Sequence, residues 1–195
     1  MHIIETQNLD HGITVQVVLD DHGDSECPIG SYDDAVRLVQ FSRRNGVSDT
    51  SASRKNPSPF SEPSDVVAWA KSNGFICYPV FKYEHGNVAY SIGAFSCPWD
   101  SGQCGYLLMS RKEWKRKSKK SDSYAASALA QYTSWCNGEV YGFQVLDSDG
   151  EVLDSCWGFI GESDYCLQEG LAAAKYEVDR LILEAATELA TRQNE

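Results

Sequence analysis

A chain of 195 residues, 42% hydrophobic and 11% aromatic, has enough apolar surface for one sizeable core, which excludes global disorder. No apolar run reaches the ~18–20 residues of a membrane span. A formal net charge of −11 argues against general nucleic-acid binding, because phosphate contacts need positive charge.

That charge is uneven. Residues 1–34 hold eight acids and no Lys or Arg, and residues 139–195 hold thirteen acids against three bases. Between them RKEWKRKSKK (111–120) carries seven bases and one acid; it could contact nucleic acid or an acidic protein face with Trp114 as a stacking group, but the net charge favours a solvated helix start. The N-terminus MHIIETQNLDHG has neither the basic nor the long apolar region of a signal peptide, so a cytoplasmic location is expected. The seven cysteines include no C-x-x-C pair, and most of them read as reduced thiols in the core or at its edge.

In chain order, ITVQVVLDD (13–21) alternates around β-branched residues and predicts a strand. The following loop (20–30) concentrates Asp20, Asp21, His22 and Asp24, weak candidates for a divalent cation. Their spacing matches no EF-hand loop, so no metal or other cofactor is assigned. SYDDAVRLVQFSRRNG (31–46) carries helix signals at both ends, Ser31 and two Asp residues at the start and two Arg residues and Gly46 at the stop. It predicts a helix burying Val36, Leu38 and Val39. The Ser/Pro-rich segment 47–64 predicts a mobile loop, and SDVVAWAKSNG (64–74) a short helix capped by Ser64 or Asp65.

FICYPVFKY (75–83) and VAYSIGAF (88–95) predict a hairpin, with Pro79 pushing its first strand toward an edge or a bulge. After a loop, GYLLMS (105–110) predicts a third strand. Residues 111–138 predict a helix interrupted near 119–123 and closed by Gly138. EVYGFQVLD and EVLDSCWGFI predict a second hairpin across the turn DSDG. Residues 164–190 predict a helix whose apolar stripe runs through Leu167, Leu171, Ala174, Val178, Leu181, Ala185 and Leu189. The expected fold is therefore α+β: a single domain with a mostly antiparallel five- or six-stranded sheet covered by helices. Residues 1–161 form the core domain and residues 162–195 an acidic C-terminal amphipathic helix packed on it or extending from it.

The loop FSCPWDSGQCG (95–105) is the densest cluster of chemistry. Cys97 or Cys104 as a nucleophile would need a histidine base, and His85, in a hairpin turn, is expected to point away. No protease or hydrolase signature surrounds either cysteine. A built recognition loop over Cys97, Pro98, Trp99, Asp100, Ser101, Gly102 and Gln103 makes fewer demands: Pro98 fixes one angle, Trp99 anchors, Asp100 and Ser101 bond nearby amides, and Gly102 takes a positive φ.

VVLDD (17–21), QFSRRNGVSD (40–49), YEHGNVAYSIGAFSCPWDSGQCGYLLMSRKE (83–113), GEVYGFQV (138–145) and DSCWGFIG (154–161) together resemble a family of small uncharacterised proteins encoded by bacteriophages, plasmids and related mobile elements. SCPWDSGQ-x-G is the specific element of the resemblance. It implies an accessory product of a mobile element in a bacterial host, of the kind that inhibits host defence as anti-CRISPR and antirestriction proteins do. No catalytic residue carries over. The expected partner is a host protein or ribonucleoprotein complex met by an acidic face of Glu177, Asp179, Glu184 and Glu188, with direct nucleic-acid binding not expected. A homodimer through the C-terminal helix is a further option. The alternative is a small metal- or cysteine-dependent enzyme with loops 20–26 and 96–105 in one pocket.

Overall fold

The computed structural model describes residues 2–21, 25–30, 36–42, 46–52 and 57–192, leaving aside the side chains of Glu188 and Leu189. In chain order the elements are β1 (His2–Asn8), β2 (Thr14–Leu19), β3 (Val36–Ser42), β4 (Gly46–Asp49), α1 (Pro63–Ser72), β5 (Phe75–His85), β6 (Asn87–Ser91), β7 (Ser101–Ser110), α2 (Arg111–Trp114), α3 (Lys119–Cys136), β8 (Val140–Leu146), β9 (Val152–Ile160) and α4 (Ser163–Arg192). The class is α+β, and every strand pairing is antiparallel. Among the described residues nine strands divide between a four-stranded sheet, β1-β2-β8-β9, and a five-stranded sheet, β4-β3-β7-β5-β6. Each sheet belongs to its own compact unit. The first unit joins residues 1–25 to 138–195, and the second is residues 26–137.

In the first unit, β2 buries Val15 and Val17 beside Phe143 and Val145 of β8, and α4 lies on this floor through Cys166, Leu167, Leu171, Ala174, Val178 and Leu181. Gly170 permits the close approach: an added Cβ would stand 2.8 Å from Val15 Cγ1 and 3.1 Å from Phe143 Cβ. The predicted stripe outruns its floor, because Ala185 is exposed, as are Ile182 and Leu183. A 30-residue helix is ~45 Å long, whereas the nine-residue β9 spans only ~30 Å. Strand β1 has no counterpart among the predicted elements. All its side chains are exposed, so no buried stripe announces it.

In the second unit, α3 covers one face of the sheet over Leu38, Ile76, Tyr78, Val80, Leu107 and Met109. The opposite face packs Val39 and Leu108 against Phe60, Val66 and Ala70, the last two from α1. Segment 36–42 is therefore a strand, not the predicted helix. Val36 and Leu38 serve one face and Val39 and Phe41 the other, so burial on both sides erases the alternation that marks a strand. The predicted N-terminal signals of that helix, residues 31–35, and its Arg43 and Arg44 lie outside the described residues. Phe60, inside the segment expected to be a mobile loop, is buried. Residues 53–56 of that segment are outside the described set.

The N-cap of helix α1 is Glu62, two or three residues before the predicted Ser64 or Asp65. Pro63 opens it, and Asp65 turns back to accept from the Glu62 and Ser61 amides at 3.1 and 3.2 Å. Pro79 fits its strand because β6 pairs only with residues 81–85 of β5, leaving the missing N–H on an open edge, and a bulge follows at Val80/Phe81. The break between α2 and α3 falls at Lys115, which holds φ 55°, four residues before the predicted position. Helix α3 is fixed to β5 by the Tyr78 hydroxyl, 2.8 Å from Ser121 Oγ and 2.7 Å from Asp122 Oδ1.

One ion pair locks β3 to β4 and to α1. The Arg37 guanidinium forks onto Asp49, donating from Nε to Oδ1 at 2.7 Å and from Nη2 to Oδ2. It lies between the Phe60 and Trp69 rings, 4.8 and 5.2 Å from their centroids. Burial pushes the Asp49 carboxyl up, but hydrogen bonds from Arg37 and Ser58 and the Arg37 charge outweigh it and hold the group below the usual carboxylate range. Such a carboxylate stabilises the fold fully above about pH 4, and the contribution is lost as pH falls through the depressed folded value. Arg37→Ala is expected to cost about 3 kcal/mol by leaving Asp49 buried and unpaired. In urea unfolding, that deficit should shrink as the pH is lowered below about 4. A deficit independent of pH would contradict the pair.

Candidate functional site

The loop between β6 and β7 is as long as the sequence suggests but lies four residues earlier, at 92–100 instead of 96–104, since β6 ends at Ser91 and β7 already starts at Ser101. Its tip is held by side chains. Ser101 Oγ donates to the Cys97 carbonyl, and the Cys97 thiol donates to Asp100 Oδ2 at 3.5 Å. The Asp100 carbonyl accepts from the Glu84 amide at 2.9 Å, which extends the β5–β7 pairing to the hairpin tip. Phe95 packs on Tyr83 with centroids 5.8 Å apart.

This return of the chain corrects the expectation for His85. Its Nδ1 stands 3.5 Å from Asp100 Oδ2, so the hairpin turn meets the loop. The contact is a solvent-exposed ion pair when the imidazole is protonated, worth at most about 1 kcal/mol. Asp100 Oδ2 thus serves both Cys97 and His85. A thiol that donates to a carboxylate is a satisfied polar group, not one paired to a base as a nucleophile requires.

Two other loop residues depart from their predicted roles. Trp99 is 91% exposed and anchors nothing among the described residues, with Pro98 exposed beside it. Gly102 does not take a positive φ. It lies in β7 opposite Lys82, with open space where a Cβ would go. The glycine the motif needs is Gly105, where an added Cβ would come 2.9 Å from Gln40 Cα and closer still to the Val39 carbonyl oxygen. Gln103 is exposed, its amide 3.4 Å from the Gly105 carbonyl.

The acidic face on α4 is partly self-neutralised. Glu177 is buried and takes Arg180 Nε and Nη2 at 2.9 and 2.7 Å, while Glu184 takes Nη1 at 2.8 Å. Asp179 is exposed, and the Glu188 side chain lies outside the described residues. Of the weak metal candidates, Asp20 donates its amide to the Val140 carbonyl at 2.8 Å and Asp21 is exposed. His22 and Asp24 lie outside the described residues. Among the described residues no three His, Cys, Asp or Glu side chains are grouped to hold a metal ion. No helix among them is long and apolar enough to cross a membrane.

None of the seven cysteines forms a disulfide. Burial pushes Cys77 and Cys166 up to about 11, and raises Cys27, Cys104 and Cys136 as well. Native alkylation at neutral pH should reach the exposed Cys156 first and Cys166 only after denaturation, as peptide mapping would read. Early labelling of Cys166 would contradict its burial between α4 and the sheet. Gly105→Ala should cost at least about 3 kcal/mol or prevent folding, and Gly102→Ala less than about 1 kcal/mol, in chemical denaturation. Equal effects would contradict the assignment of Gly105 as the close-approach glycine.

The sequence matches no family model, and no curated protein or solved structure matches it.

Proposed function

We propose that the protein is a binding protein whose acidic unit occupies a basic surface on a partner, as an inhibitor of a host defence nuclease or nucleoprotein complex would. The observation that carries this reading is the partition of charge between the two units. The unit of residues 1–25 and 138–195 holds eighteen acids and three Lys or Arg, a net of −15, while residues 26–137 hold ten acids and fourteen bases, a net of +4. Five of the eight acids of the N-terminal stretch and all thirteen of the C-terminal stretch thus belong to one unit, and that concentrates their field.

Within this unit the β8–β9 hairpin carries Asp149, Glu151 and Asp154, all exposed, and α4 adds Asp164, Glu169 and Asp179. These acids, more than Glu177 and Glu184 with their shared arginine, are free to meet a cationic surface. Such a contact speeds encounter and is screened by salt. A mobile-element origin rests on the SCPWDSGQ-x-G resemblance alone.

The test is retrieval of a partner from bacterial lysate by the tagged chain, at low and high salt, read by mass spectrometry. The reading predicts one stoichiometric nucleic-acid-binding protein, released by salt and reduced at least about tenfold when Asp149, Glu151, Asp154 and Asp179 are changed to Lys. Retrieval unchanged by the reversal would overturn it.

A further inference from the structure

The segment 111–120 is the one strongly cationic stretch that the acidic reading does not use. All seven of its cations are exposed, and among the described residues none enters an ion pair. The stretch is nevertheless built. Lys115 reverses the chain between α2 and α3 at φ 55°, a conformation unfavourable for a side chain with a Cβ. Arg111 holds that reversal, accepting the Lys115 amide at its carbonyl at 2.9 Å and donating Nη1 to the Lys115 carbonyl at 3.3 Å. Lys117 sits over the Tyr78 ring, 4.4 Å from its centroid. Lys112, Arg116, Lys119 and Lys120 remain to face solvent around the same turn.

Next to these cations is an aromatic platform. Trp114 packs against Tyr124 of α3 with centroids 4.6 Å apart, and Tyr124 stays 42% exposed. Lys120, Tyr124, Ser127 and Gln131 recur at spacings of four, three and four, so they share one flank of α3 about 16 Å long. Along that flank Tyr124, Ser127 and Gln131 form a wall of a cleft of about 230 Å³, whose other side is Pro28, Ile29 and Gly30. The cleft offers a hydroxyl and an amide beside an aromatic edge, in a space suited to one planar ring system.

We propose that this flank binds single-stranded nucleic acid. Phosphates lie along Lys115, Arg116, Lys119 and Lys120, one base stacks on Tyr124, and its neighbour enters the cleft beside Ser127 and Gln131. Cations alone would serve any polyanion, but an exposed aromatic face continuous with a ring-sized cleft suits unstacked bases. A duplex keeps its bases stacked away from such a platform, and an acidic peptide has no use for it. The net charge of the chain does not oppose the assignment, because the unit that carries this flank is itself net positive. This inference stands apart from the acidic-unit reading, and reversing the acids of β8–β9 would not abolish it.

The test is fluorescence anisotropy of a labelled single-stranded oligouridylate of about 12 nucleotides, titrated with the full chain between about 50 and 200 mM salt. Affinity should fall steeply with salt. Changing Lys115, Arg116, Lys119 and Lys120 to Glu should lower it by more than about tenfold. Tyr124→Ala should lower it about tenfold while Tyr124→Phe retains it, with circular dichroism confirming that each variant folds. No anisotropy change at the lowest salt overturns the proposal. So does binding that ignores Tyr124→Ala, which would leave only a general polyanion patch. Displacement by polyglutamate as effective as by unlabelled oligonucleotide would assign the flank to an acidic protein face and likewise overturn it.

Discussion

The pairing of β2 with β8 is the interaction on which the acidic unit depends. It runs from Thr14 opposite Leu146 to Leu19 opposite Tyr141, and it joins segments more than a hundred residues apart. Without it the β1–β2 hairpin would be a two-stranded ribbon of marginal stability. Its formation places Val15 and Val17 beside Phe143 and Val145, and only that combined surface is broad enough to seat α4. The same pairing brings together the acids of residues 1–25 and 138–195, which are separated in the sequence by the whole second unit. Closing so long a loop costs entropy before any contact is gained, so the apolar floor under α4 must supply the compensation.

Much of the fold was legible from local signals. The DSDG turn is closed by Asp147, whose Oδ1 accepts from the Asp149 and Glu151 amides, and Gly150 takes the positive φ that the turn requires. Helix α4 announced itself by a stripe at spacings of three and four. What stayed hidden depends on neighbours distant in sequence. Segment 36–42 looks helical because its apolar residues serve two faces, and the enclosure of Arg37 by Asp49, Phe60 and Trp69 depends on partners twelve or more residues away. The split into two sheets was equally invisible, since it is decided by which hairpins pair and not by any single strand.

For the loop 95–105 the composition was informative but its assignment to roles was only partly so. The hydrogen bonds of Cys97, Asp100 and Ser101 make the fixed loop that a Pro, Asp, Ser and Gly cluster suggests. Nothing local could tell that Trp99 would project outward or that Gly105, not Gly102, bears the steric constraint. The first follows from where the loop sits on the sheet, and the second from the approach of β3 to β7. Net charge proved a similarly coarse guide. A value of −11 describes neither unit, and recognition responds to the local field within about a Debye length.

The account rests most directly on the first unit being one cooperative structure assembled from both ends of the chain. Native-state hydrogen exchange of the whole protein, followed amide by amide in increasing denaturant, tests this. The account predicts that the amides of β2, β8 and the sheet-facing part of α4 open together at one free energy. Exchange of β2 at a distinctly lower free energy than β8 and α4 would mean that the N-terminal hairpin is only loosely appended, and would contradict a single acidic unit.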